Sequence, residues 1–148
     1  MTNELTVLTK LADVIGTQLN SYLPQDVPEI SDKQVQIEFP DVDKMPYGTM
    51  FYVTPNYAEY DDLTTCSDDA HLRASVFLIC KKDTKANLTL KTYAYYNALY
   101  ALLRQNTSLD DTVTSTAIES TDFYPAVEGN PSVQGIELVA NIRFAKDF

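Results

Sequence analysis

Between residues 88 and 106 the chain reads LTLKTYAYYNALYALLRQN, and one set of positions falls on helical steps. Leu88, Thr92, Tyr95, Ala98, Leu99 and Leu102 recur every three or four residues, with Tyr96 and Leu103 widening the stripe. The pattern predicts a buried helix lying flat on a sheet. The segment also holds four of the chain's ten tyrosines and no glycine or proline. Its opposite side carries Thr89, Tyr93, Asn97, Tyr100 and Arg104. Two tyrosines seven residues apart are more apolar surface than a fully solvated helix carries. Two readings of that side stay open: it meets a second subunit, or Tyr93 and Tyr100 cover loops of the same chain with their hydroxyls in water.

The rest of the chain sorts by the same periodicities. Residues 3–22 predict a first helix, with Thr2 or Asn3 as its cap, Leu5, Leu8, Leu11, Ile15 and Leu19 as its stripe, and Pro24 and Pro28 beyond its end. Strict alternation over Val35-Gln36-Ile37-Glu38-Phe39 predicts a half-buried strand stopped by Pro40. After a loop at 41–48, residues 49–54 predict a second strand, and an acidic, aromatic excursion over 57–62 and 67–69 precedes a third at 71–81. That third strand alternates through Leu72, Ala74, Val76, Leu78 and Cys80 and turns apolar on both faces toward its end, as a central strand does. The charged connector 81–85 leads into the long helix, and a return loop at 107–112 follows it. Residues 113–124, rich in Ser and Thr with Ala117, Ile118 and Phe123, predict a strand wetted on one face. In 135–144, Ile136, Leu138, Ala140, Ile142 and Phe144 point one way, and 124–132 is the turn-rich tip between these two strands. The expected architecture is α+β in the order α-β-β-β-α-β-β: a mostly antiparallel sheet of about five strands with two helices packed on one face.

Composition narrows the function classes. With 148 residues and 45% hydrophobic content, one domain spanning 1–148 buries a sizeable core without staples. Eleven scattered basic residues against twenty-one acidic ones give a net charge of −10, which argues against binding nucleic acid through its phosphates. Two cysteines make no disulfide framework, and Cys80 sits in an apolar run as an ordinary buried thiol. The N-terminus lacks a basic leader, and no apolar run approaches the roughly 18 residues of a spanning helix, so synthesis in a reducing cytosol is expected. On that basis the sequons at Asn87 and Asn106 are chance matches.

Enzyme chemistry finds little to stand on. Cys66, Asp68, Asp69 and the single histidine, His71, lie close in sequence, but their spacing matches no zinc site, and surface solvation is the favoured reading. No residue is placed by sequence to orient His71 as the base for Cys66 or Cys80. Four unclustered glycines make no phosphate loop, and Asp61-Asp62, Asp68-Asp69 and Asp110-Asp111 read as solvated turn acids. No cofactor, metal or catalytic residue is expected. Surface for protein contact remains. Tyr47, Tyr57 and Tyr60 fall in loops and Tyr124 opens the hairpin tip, and tyrosine brings large contact area at low entropic cost. With Asp61, Asp62, Tyr93, Tyr100 and Arg104 they form the expected interface set, the alternative for the loop tyrosines being that they fold back on the body.

The order of elements, the segment VFLICKK, the tyrosine- and alanine-rich helix and the stretch STDFYPAVEGNPSVQGIELVANIRF resemble the tail-terminator and tail-completion proteins of long-tailed bacteriophages. The resemblance is one of architecture over most of the chain. It implies a virion protein at the head-proximal end of the tail, assembled as a homo-oligomeric ring, a hexamer, which stops growth of the tail tube and docks the head connector. Its partners would be the tail-tube protein and the connector or neck protein. DNA would pass its lumen without specific binding, and no membrane is involved. The resemblance implies that loops 41–48 and 56–69 and the tip at 124–132 reach the neighbouring subunit or the tube. Two alternatives are a neck or head-completion protein of similar fold and a small acidic protein that sequesters another.

Overall fold

A computed structural model describes residues 2–83 and 87–148 of the chain. The first helix, α1, spans Glu4–Gln18, is capped by the Asn3 side chain accepting from the Thr6 amide at 3.0 Å, and tightens into a 3-10 turn at Leu19–Tyr22. Its buried stripe is Val7, Leu8, Leu11, Val14 and Ile15. Leu5, expected in that stripe, lies 65% exposed instead, because steps of three taken back from Leu8 drift off the buried side. The expected long helix is α2, Leu88–Gln105, which buries Thr92, Tyr95, Ala98, Leu99, Leu102 and Leu103. Asn87, the residue of one sequon, is its N-cap, accepting from the Leu90 amide at 3.2 Å. The connector expected over 81–85 is only partly visible, since 84–86 lie outside the described residues.

Five strands, β1 (Val35–Gln36), β2 (Thr49–Asp62), β3 (Ser67–Lys81), β4 (Ser115–Tyr124) and β5 (Val133–Asp147), form one mixed sheet in the order β1-β2-β3-β5-β4. All neighbours are antiparallel except β1 and β2, which run parallel through Val35↔Phe51 and Gln36↔Tyr52. The α+β class and the order α-β-β-β-α-β-β are as the periodicities require. β3 is the centre. It pairs along its whole length with β5 and along nearly all of it with β2, and its even-numbered residues from Ala70 to Cys80 face the helices.

Both helices lie on that face. Their stripes interlock with Phe51 and Val53 of β2, Leu72 to Cys80 of β3, and Ile136 to Phe144 of β5 in one continuous core. Removing a side chain as enclosed as Leu99 or Leu102 costs about 2–5 kcal/mol. Cys80 is a free, buried thiol in this core, and burial pushes its pKa up. The other face of the sheet carries a smaller cluster, Met50, Tyr52, Ile79 and Val133, under Val42, Met45, Phe77 and Val127.

β3 and β5 run longer than expected, from Ser67 and from Val133 to Asp147, and β1 and β2 depart from their expected ends. β1 stops after Gln36, where the chain leaves the margin of β2 and crosses the outer face so that Phe39 meets Phe77 edge-on at 5.5 Å. Alternation over 35–39 is real, but Ile37 and Phe39 end up exposed. Conversely, β2 does not end at Thr54. After a bulge at Asn56 it runs to Asp62 and pairs Tyr57↔Arg73, Tyr60↔Ala70 and Asp62↔Asp68, so the acidic excursion is a hairpin arm and not a loop.

Candidate functional site: two margins of the sheet

Four of the residues expected in loops at a protein interface lie on the arm. Beyond the bulge at Asn56 the two tyrosines, an odd three residues apart on a regular strand, fall on opposite faces. Tyr57 sits on the outer face beside Arg73, whose guanidinium carbon lies 5.6 Å from the ring centre, and its hydroxyl donates to Glu59 at 2.6 Å. Tyr60 turns to the helix face, where its hydroxyl donates to the Glu4 carboxylate at the start of α1. Lys146 of β5 closes this corner, 2.6 Å from Glu4 and 5.0 Å from the Tyr60 ring centre. Burial raises the Glu4 pKa, but the hydrogen bonds from Lys146 and Tyr60 outweigh it and hold the carboxyl below its ordinary value. The arm is thereby fastened to the helix layer and to β5.

Acids crowd the end of the arm. Asp61 stands opposite Asp69 and Asp62 opposite Asp68 across the hairpin, an arrangement that repels. Asp69 is relieved by Arg143, which donates two hydrogen bonds of 3.0 Å and holds its carboxyl below the usual range, with His71 at 3.6 Å. Among the described residues Asp61, Asp62 and Asp68 form no salt bridge, although Lys146 of β5 lies across the ladder from Asp68. Cys66 is exposed in the turn at the tip. No group of three or more His, Cys, Asp or Glu side chains gathers to hold a metal among the described residues.

Tyr93, Tyr100 and Arg104 stand at the other margin, on the side of α2 next to β4. Tyr93 stacks on Phe123, Tyr96 meets Phe123 edge-on at 5.5 Å, and Tyr100 lies 6.2 Å from Tyr96, giving a row of four rings. Strand β4 of the same chain, and not the loops of the same-chain reading, covers one flank of Tyr93, and about two fifths of each of Tyr93 and Tyr100 stays exposed. Phe123 was not among the expected interface residues. Plain alternation puts it on the face opposite Ile118, but a bulge at Glu119 brings both to the helix side, paired with Ile136 and Ala140. Tyr124 ends β4 on the outer face, its hydroxyl 3.4 Å from Glu137. Tyr47 is exposed in the turn before β2 and joins neither group.

A groove of about 520 Å³ runs between residues 37–39 and the outer face of β2 and β3. Ser75 donates to Glu137 there at 2.8 Å, but among the described residues no His, Lys or Arg lines it. Among the described residues no helix is long and apolar enough to cross a membrane.

No protein-family model matches the sequence, and no curated protein matches it. Solved structures do match. The sheath/tube terminator of an extracellular contractile injection system (PVC), in its extended state, superposes with a TM-score of 0.54 at 10% identity, over 100% of this chain and 58% of the other. A chain of the native gene transfer agent virion matches at 14% identity over 91% of this chain and 84% of its own, with a TM-score of 0.42, too distant to bear on the argument. This chain thus spans little more than half the length of the injection-system terminator, and what the two share is the fold, the architecture that the resemblance to tail terminators led us to expect.

Proposed function

We propose that the chain is a structural, non-catalytic protein of a phage-like particle. It forms a ring on the head-proximal end of the tail, ends growth of the tail tube and provides the surface on which the head connector docks. The observation that carries this reading is the likeness of fold to a sheath/tube terminator, which extends over the whole of this chain. The arrangement of the surface supports it. Exposed aromatic rings lie at both margins of the sheet, where lateral neighbours in a ring would meet, and not around a pocket that gathers reactive groups. The partners are further copies of the chain, six in a ring, the tail-tube protein below and the connector above. A net charge of −10 suits a conduit through which DNA slides without sticking.

The test is to interrupt the chain in the genome that encodes it and image the particles. The reading predicts DNA-filled heads beside unattached tails with tubes of uncontrolled length, both restored by supplying the chain from a plasmid. Tails of normal length joined to heads in its absence would contradict it.

A further inference from the structure

The sheet order places the arm and the aromatic row at opposite margins of the molecule. β1 covers β2 only at Phe51 and Tyr52, so from Val53 to Asp62 no strand lies beside the outer margin of β2 among the described residues. β4 closes the other side and likewise has no strand on its outer margin there. Each margin carries half-exposed aromatic surface: Tyr57 and Tyr60 on the arm, Tyr93, Tyr100 and Phe123 at the row.

On the helix side their charges differ, since the acids of β4 at the row's margin, Glu119 and Asp122, stand apart from the rings: Glu119 pairs with Arg73 and Asp122 lies opposite Glu137 on the outer face. Residues 56–69 contain five acids and no lysine or arginine. α2 contains Lys91 and Arg104 and no acid, in a chain where acids outnumber bases nearly two to one. Lys91 is engaged by Asp83 at 3.3 Å, whereas Arg104, on the row, stands in no salt bridge among the described residues. A contact of arm on arm would set five acids against five. Arm on row joins unlike charges and covers aromatic surface from both sides, and a contact between two different patches of the same chain is the kind that propagates head to tail and closes into a ring.

Resting on the ring reading above, we infer that the helix-side face of the β2–β3 arm of one copy seats on the aromatic row of the next, with Asp62 facing Arg104, Asp61 at the edge of the contact, and Tyr60 against Tyr93, Tyr100 and Phe123. The contact relieves the repulsion that Asp62 and Asp68 meet across the hairpin. The occupant of each margin is therefore a second copy of the chain.

Charge exchange tests the pairing. Three variants of the full chain are compared with the unaltered protein by sedimentation velocity: Asp61→Lys with Asp62→Lys, Arg104→Glu, and all three changes together. Circular dichroism checks that each folds. The arm variant alone and the row variant alone are expected to weaken association roughly tenfold or more, because each sets like charges together. Mixing them in equal amounts restores association, since each arm then finds a row of opposite sign, and the triple variant associates by itself. The pairing is overturned if either partial variant associates as the unaltered protein does, or if the folded triple variant stays dissociated. Those outcomes leave the ring reading standing as long as the unaltered protein forms closed oligomers. An unaltered protein that stays monomeric at every concentration overturns both.

Discussion

Tyr93 of α2 and Phe123 of β4 stack with their ring centroids 5.5 Å apart and their planes 14° from parallel. The pair clamps the long helix to the marginal strand outside the enclosed core. In a double-mutant cycle of Tyr93→Ala and Phe123→Ala, urea unfolding should give a coupling of about 0.5–1.5 kcal/mol. Strictly additive losses would mean that the stack contributes nothing.

Tyr95 faces the other way. Its hydroxyl donates to the Pro28 carbonyl at 2.6 Å, and burial, helped by the nearby Cys80, pushes its pKa from an ordinary 10.0 up to about 12. The unfolded chain gives up this proton first. The contribution of Tyr95 to stability is therefore intact below pH 10 and is lost as pH rises toward 12. Tyr95→Phe should cost about 1–2 kcal/mol at neutral pH, by leaving the Pro28 carbonyl without its donor, and should flatten the alkaline fall in stability. Urea titrations at a series of pH values measure both, and an unchanged alkaline slope in the variant would refute the assignment.

At the acid end the sign reverses. Glu4 is held below its ordinary 4.5 and Asp69 below 3.8, as is Asp110, which accepts hydrogen bonds from Gln18 and Asn106 and lies 3.3 Å from Lys10. Each contributes stability that is present above the unfolded value and lost as pH falls through the lowered folded one. Amide exchange over residues 57–62 should accelerate as pH drops below 4.5, after correction for intrinsic rates, and Glu4→Gln should loosen the arm already at neutral pH. Equal protection in the variant and the parent would show that Glu4 does not fasten the arm.

The elements legible in the sequence are those whose periodicity reports burial. α2 is the clearest: its inward positions are filled without interruption, and the one polar member, Thr92, returns its hydroxyl to the Leu88 carbonyl at 2.8 Å. The arm was illegible as strand because its residues are wetted on both faces, so alternation carries no signal there. What keeps Tyr57 to Asp62 extended is pairing with β3. Phe123 was hidden by a bulge that shifts the alternation by one residue, and the shortened β1 by a chain that turns away to set Phe39 on Phe77. In the sequence the expected interface residues form one set. Their division between two margins depends on the strand order β1-β2-β3-β5-β4, a non-local property that no window of sequence contains.

Thr116 offers a check on packing in the helix layer. Its hydroxyl is buried on the helix side of β4 and has no hydrogen-bond partner among the described residues. Thr116→Val keeps the shape and removes the desolvated oxygen, so thermal unfolding should shift upward by the equivalent of about 1 kcal/mol. A lowered midpoint would mean that the hydroxyl has a partner in solution.

On the proposed reading this chain closes on itself into a ring. Light scattering behind a sizing column, run at rising protein concentration, should then show a discrete species at six times the 16.6 kDa mass of the chain, growing at the expense of monomer without larger aggregates. A protein that remains at the mass of one chain throughout, or that grows without limit, would contradict it.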